Sequence, residues 1–318
     1  MSKQGTDDRA ASRPVSAMKM LGARVRRLAI GLACLVAGIA GAGTGDMNPS
    51  AALRAKFGAL QEQAGNKPFK KPLYLESGEA TGSVSGDIYA LVDHPFAMAG
   101  AALNGPTAWC DILLLHLNTK YCRASTNGHG SVLRVYIGKK HEQPLDDAYP
   151  VDFAYHAAAA SADYLKVMLS ATDGPLSTHD YRITLEAVPL DGGRTLLHLA
   201  YSYAYGLAGR VAMQAYLGTI GSDKQGFTVT GKQTGGAPAY IGGMRGLVER
   251  NTMRYYLAIE AYLGALSAPP QARLEKSLHD WFAANEAYPR QLHELEQGEY
   301  LAMKRKEYSR ARGELRAP

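Results

Sequence analysis

Cysteine is scarce in this chain of 318 residues, which carries only Cys34, Cys110 and Cys122. No two of them are spaced Cys-x-x-Cys, so the thioredoxin-like redox motif and the paired thiolates of a zinc ribbon are both absent. Gly-x-Ser-x-Gly is missing, and no serine is marked as the nucleophile of an α/β-hydrolase. The Gly-Gly pairs at 235 and 242 are followed by no Gly-Lys-Ser/Thr, which excludes a phosphate loop. Basic and aromatic residues do not interleave. The net charge of +6 concentrates in the leader and in the run from Lys304-Arg305-Lys306 to Arg312. This sets nucleic acid aside as a partner and leaves attraction to anionic lipid headgroups as the basis for a transient membrane contact.

Long uncharged runs are almost absent too. The exception, Leu28 to Gly45, follows a polar leader (Met1 to Ser16) and the basic trio Arg24, Arg26 and Arg27. Its apolar part falls short of the ~20 residues that cross a bilayer as a helix, and it ends in Ala40-Gly41-Ala42, small residues that suit a signal peptidase. The expectation is a secretory signal over residues 1–45, cut after Ala42, and a periplasmic or secreted protein; an uncleaved membrane anchor is the alternative. Acylation of Cys34 is disfavoured because Gly31 stands where a lipobox wants a large aliphatic residue. Removal of the signal leaves Cys110 and Cys122, an even number in an oxidising compartment, and these are expected to form one disulfide. A metal pair is the weaker reading, since no further thiol or clustered histidine lies nearby.

What is present is ample apolar material: 46% hydrophobic against 20% charged residues, far from the composition of disordered chains. A helix is expected over Pro49 to Gln63, then a linker at Gly65-Asn66-Lys67-Pro68. Leu73 to Leu91 alternates as one strand, with Ile88, Ala90 and Val92 on one face and Asp87, Tyr89 and Leu91 on the other. Asp93 and Thr107 are positioned to cap two short helices, and Gly105-Pro106 separates them. Strand-like segments follow: Tyr121 to Ala124, Val132 to Lys139, Val151 to Ala159, Leu165 to Ala171, Tyr181 to Val188 and Thr195 to Tyr205. Turn chemistry such as Asp191-Gly192-Gly193 joins several of them. In Tyr181 to Ala187 odd positions are apolar and even ones polar, which indicates an antiparallel sheet with one wet face and an α+β class. A helical pattern resumes at Val211, Met213 and Tyr216, pauses through the glycine-rich Gly221 to Gly243, and returns as the longest amphipathic segment, with Val248, Tyr255, Ile259, Tyr262 and Leu266 on one face. Pro269-Pro270 ends it. A charged helical hairpin, Leu274 to Asn285 and Arg290 to Arg312, is expected to lie on the surface.

This order of elements resembles the helix-grip fold of START-like proteins, the SRPBCC group. The residues that carry the likeness are Gly86-Asp87-Ile88-Tyr89-Ala90-Leu91-Val92-Asp93-His94-Pro95-Phe96 at the strand-to-helix step, Trp109-Cys110 on the second helix, and Gly243 to Leu266 as the gripping helix. The resemblance covers residues 73–268, flanked by an N-terminal helix and linker at 46–72 and a C-terminal helical extension at 269–318. It implies a curved antiparallel sheet around a long C-terminal helix, with a hydrophobic small molecule or lipid held in a cavity between them and no cofactor.

Candidate ligand-binding residues are then Tyr201, Tyr203 and Tyr205 on one strand face, Tyr155, Trp109 at the cavity mouth, and Tyr255, Ile259 and Tyr262 on the gripping helix. Tyrosine offers an apolar body with a hydroxyl handle. Arg245 or Arg254 has the chemistry to hold a carboxylate or phosphate headgroup, although arginines on a helix face are more often solvated, and an aromatic face is more often ordinary core. His116, His156 and His198 have no partner at a telling distance in sequence. The loop Lys139 to Pro150, with His141-Glu142 and Asp146-Asp147, reads as solvated charge. The expected function is that of an exported binding or carrier protein. The alternatives are a cyclase- or hydrolase-type enzyme on the same scaffold, or an envelope assembly factor whose cavity is filled by its own side chains.

Overall fold

The computed structural model describes residues 48–63, 69, 72–128, 130–207, 209–211, 215 and 224–313. All belong to one compact unit, Asp46–Pro318. The expected signal segment with its cleavage point after Ala42, Cys34, the Gly65-Asn66-Lys67-Pro68 linker, Met213 and Tyr216 lie outside the described residues.

The chain runs α1 (Pro49–Gln63), β1 (Leu73–Ala80), β2 (Ser83–Val92), α2 (Phe96–Leu103) and α3 (Pro106–Leu115). A meander follows, of β3 (Thr119–Asn127), β4 (Gly130–Ile137), β5 (Tyr149–Ala160), β6 (Leu165–Asp173), β7 (Thr178–Leu190) and β8 (Arg194–Tyr205). A short ribbon, β9 (Val229–Lys232) with β10 (Pro238–Tyr240), precedes α4 (Gly243–Ala265), α5 (Arg273–Glu286), α6 (Pro289–Leu292) and α7 (Gln297–Ala311). The meander returns so that β8 pairs with β2, giving the antiparallel order β1-β2-β8-β7-β6-β5-β4-β3. With α4 laid on β1, β2 and β8, this is an α+β helix-grip architecture.

Strand alternation divides the sheet into two unlike faces. On the concave face Ile88, Leu169, Ile183, Leu185, Leu197 and Leu199 join one large core with α2, α3, α4, α5 and α7. On the convex face α1 lays Leu53, Phe57 and Leu60 over Tyr74, Tyr89, Leu91, Val188 and Leu196. Cys110 on α3 and Cys122 on β3 form a disulfide, with Cα atoms 5.2 Å apart.

The close approach of α4 to the sheet has a local cause. A Cβ on Gly86 of β2 would collide with Thr252 Oγ1 of α4, so only glycine lets the helix settle there. Glu249, one turn earlier on the helix, is fully buried and fully engaged. It accepts hydrogen bonds from Ser77 Oγ (2.6 Å), Phe227 N (2.6 Å), Thr228 N (3.0 Å) and Thr228 Oγ1 (2.6 Å), which ties β1 and the segment before β9 to α4.

Four local expectations are corrected. Leu73 to Leu91 is a hairpin rather than one strand, because Thr81 and Gly82 make a turn with Gly82 at φ +80°. Asp93 does not cap α2: Pro95 occupies the N-cap and no side chain bonds there. Thr107 does not cap α3, which starts at Pro106 behind Gly105. The C-terminal hairpin is not a surface layer, since Trp281, Tyr300, Met303 and Lys304 are all buried. It also breaks at 293–296, so that α6 and α7 are separate helices.

Candidate functional site

A cavity of about 520 Å³ opens between the concave face and α4. Three strands supply an aromatic wall, with Phe153 from β5, Tyr181 from β7, and Tyr201 and Tyr203 from β8. The opposite wall is a single stripe of α4, Leu247, Asn251 and Tyr255, spaced by four residues and therefore on one helix face. His116 and Asn118 contribute from the corner between α3 and β3. The lining is completed by Lys139, Gln143 and Asp147 from the loop before β5 with Tyr149 at the start of that strand, and by Pro175 and Leu176 from the turn before β7 with Thr178 at the start of that one. Leu176 sits in that turn with φ 58° and is 61% exposed, so a strained backbone holds a leucine out at the mouth.

The rings form a continuous chain. Tyr181 stacks on Tyr203 (5.3 Å between centroids), Tyr201 meets Tyr203 at 5.7 Å and Tyr255 at 5.2 Å, and Tyr255 stacks on His116 at 4.8 Å. Such contacts fix the ring orientations, and each is worth ~0.5–1.5 kcal/mol beyond area burial. Burial pushes the phenols of Tyr201, Tyr203 and Tyr255 well above the ordinary tyrosine range, so they stay neutral and serve as hydrogen-bonding handles rather than bases.

His116 is 2% exposed. Its Nδ1 accepts the Asn118 N–H at 3.2 Å, which places the ring proton on Nε2, and Nε2 has no hydrogen-bond partner among the described residues. Burial, and after it the positive charges of Arg254, Lys304, Lys140 and Lys120, drive its pKa well below the ordinary histidine value. The imidazole is neutral.

Of the candidates named from sequence, Tyr201, Tyr203 and Tyr255 are brought together in this wall. The others lie elsewhere. Trp109 is 2% exposed in the core, away from the mouth, because its indole N–H bonds Leu103 O at 3.0 Å. Tyr155 is buried on β5, and Tyr205 donates to Glu79 at 3.2 Å. Arg245 is taken up by Ser77 Oγ, with Nε at 3.1 Å and Nη2 at 3.0 Å. Arg254 is fully buried and bonds Glu294 at 2.8 Å, in place of the solvated position expected of a helix-face arginine. Ile259 is fully buried and Tyr262 partly so. Sequence reasoning did not pick out Leu247, Asn251, Phe153, Tyr181 or His116 for the wall. The spacing of four in Leu247-Asn251-Tyr255 was the available signal, concealed by the polar Asn251 in its middle.

A second polar constellation lies on the convex face. His198 Nδ1 meets Glu186 Oε2 and its Nε2 meets Asp87 Oδ1, both at 2.9 Å, while Tyr89 stacks on the ring at 4.2 Å. Three adjacent strands build it, with Glu186 and Tyr89 both directly opposite His198 in register. His156 is exposed on the same face. Among the described residues no group of His, Cys, Asp and Glu is arranged to hold a metal ion, and no helix is long and apolar enough to cross a membrane.

No family model matches the chain, and no curated protein does. Among solved structures, a conserved protein of unknown function from Enterococcus faecalis is similar over 74% of this chain and 98% of its own, at 9% identity and TM-score 0.32. Norcoclaurine synthase from Thalictrum flavum is similar over 50% of this chain and 88% of its own, at 12% identity and TM-score 0.30. The protein Ara h 8.0201 is similar over 44% and 92%, at 13% identity and TM-score 0.29. Likenesses this slight carry no functional argument, and the helix-grip architecture rests on the strand order and helix placement described above.

Proposed function

We propose that this chain is an exported binding or carrier protein for a hydrophobic or amphipathic small molecule, which it holds by burial in the cavity between the sheet and α4. The observation that carries the reading is the cavity of about 520 Å³ walled by Phe153, Tyr181, Tyr201, Tyr203, Leu247 and Tyr255. That volume lies within the ~300–1,000 Å³ of small-molecule sites. It suits one ring system or one acyl chain better than a two-chain lipid. Each methylene removed from water contributes about 0.8 kcal/mol, so a short chain suffices for tight holding. Export is supported by the basic residues and uncharged run that precede Asp46, and by the use of the two remaining cysteines as a disulfide. The open space speaks against an assembly factor whose interior is filled by its own side chains.

The test is to purify the protein, extract it with organic solvent and look for co-purified amphiphile by mass spectrometry, alongside titration with a neutral apolar fluorescent probe. Leu247→Trp fills the cavity from α4 and is expected to weaken probe binding by about tenfold or more while leaving the fold intact by circular dichroism. Failure of the wild type to bind any probe or amphiphile, or undiminished binding by Leu247→Trp, defeats the proposal.

A further inference from the structure

A cavity lined by rings accounts for affinity but not for orientation, and one wall residue is out of place in an apolar site. His116 is nearly fully buried, stacked on Tyr255 at 4.8 Å, and fixed by the Asn118 N–H as the tautomer that carries its proton on Nε2. That Nε2–H is a buried donor with no partner among the described residues. A buried polar group left unpaired costs about 1–3 kcal/mol, a penalty a ligand removes by supplying the missing acceptor.

We infer that the ligand carries an oxygen acceptor at one end, best a carboxylate, which docks on His116 Nε2–H while its apolar body lies along the tyrosine wall. The inference rests on the binding reading above and deepens it by naming the polar group of the ligand. The charge at that end of the cavity argues for an anion. Burial first, and then the charges of Arg254, Lys304, Lys140 and Lys120, four cations against the two carboxylates Glu294 and Glu307 that pair with them, keep the His116 ring an uncharged donor that cannot itself become the counter-ion. A cationic head would meet a donor and a positive field together and is disfavoured on both counts. The neutral hydroxyls of Tyr201, Tyr203 and Tyr255 supply further handles along the path.

The experiment compares decanoate, decanamide and decylammonium as competitors of the neutral apolar probe, on wild type, His116→Phe and His116→Gln. The expected order for wild type is decanoate, then decanamide, then decylammonium. His116→Phe should lose about tenfold or more in decanoate affinity relative to its own affinity for the neutral probe, and His116→Gln, which retains an N–H donor, should recover part of that ratio. Histidine-labelled wild type gives a readout that needs no substitution: one Nε2 resonance should shift on addition of decanoate and not of decylammonium. Equal binding of the three competitors by wild type, or no histidine shift with decanoate, overturns the inference while the probe-binding cavity stands. A wild type that binds no probe overturns both.

Discussion

His198 shows how a single side chain acquires a role from its neighbours across the sheet. Burial opposes its charge, but hydrogen bonds and attraction from Asp87 and Glu186 more than reverse that and raise its pKa above the ordinary histidine value. The same contact, with Tyr164 and Lys166 adding to it, draws Glu186 down to about 2. A raised folded-state pKa means that the stabilisation is complete below the unfolded value of ~6.5 and fades as pH climbs through the folded value. His198→Gln is therefore expected to cost about 1–3 kcal/mol near pH 5.5 and progressively less toward pH 9, read from denaturant unfolding at each pH. Around the ring, Tyr89 stacks on it, Tyr164 and Lys166 engage Glu186, and Lys56 of α1 lies over Tyr89 and pairs with Glu76 at 2.9 Å. A flat pH dependence of the difference would remove His198 from this role.

At the scale of elements, the seating of α4 on β2 governs the width of the cavity. Gly86→Ala adds a Cβ against Thr252 Oγ1, and it is expected to destabilise by ~1–3 kcal/mol as an overpacked contact. Thr252→Ala in the same chain should restore most of the loss, and thermal unfolding of the two variants and their combination checks the pairing. Much of this layer was readable in advance. The alternation in Tyr181 to Ala187 and the glycines at 192 and 193 were enough to place β7, its turn and β8, because strand period and turn chemistry are local properties. The turn at Gly82 was missed because the alternation runs on through both of its strands. The C-terminal helices were misjudged for a different reason. Lys304 is charged in sequence yet buried, since its Nζ donates to His116 O at 2.6 Å, Thr119 O at 2.9 Å and Glu307 at 2.7 Å, partners more than 180 residues away for the two carbonyls. Long-range satisfaction of that kind leaves no periodic trace. The site was half legible for the same reason: the tyrosines of β8 announced themselves by alternation, whereas His116 reaches the wall only through the meeting of α3, β3 and α4.

For the molecule as a whole, the disulfide between Cys110 and Cys122 joins the helical layer to the last strand of the sheet, across 12 residues of sequence. Reduction is expected to lower stability by ~2–4 kcal/mol, seen as an earlier denaturant midpoint in the presence of reductant, and Cys110→Ser with Cys122→Ser should reproduce it. An unchanged midpoint would show that the packing of α3 alone holds that corner. The vacant volume beneath α4 has a mechanical counterpart as well. Unfolding collapses internal voids, so the unfolded chain occupies less volume than the native one, and compression favours it. Under hydrostatic pressure the empty protein should give way before the loaded one, and the gap between the two midpoints would gauge how much of the hollow the guest fills.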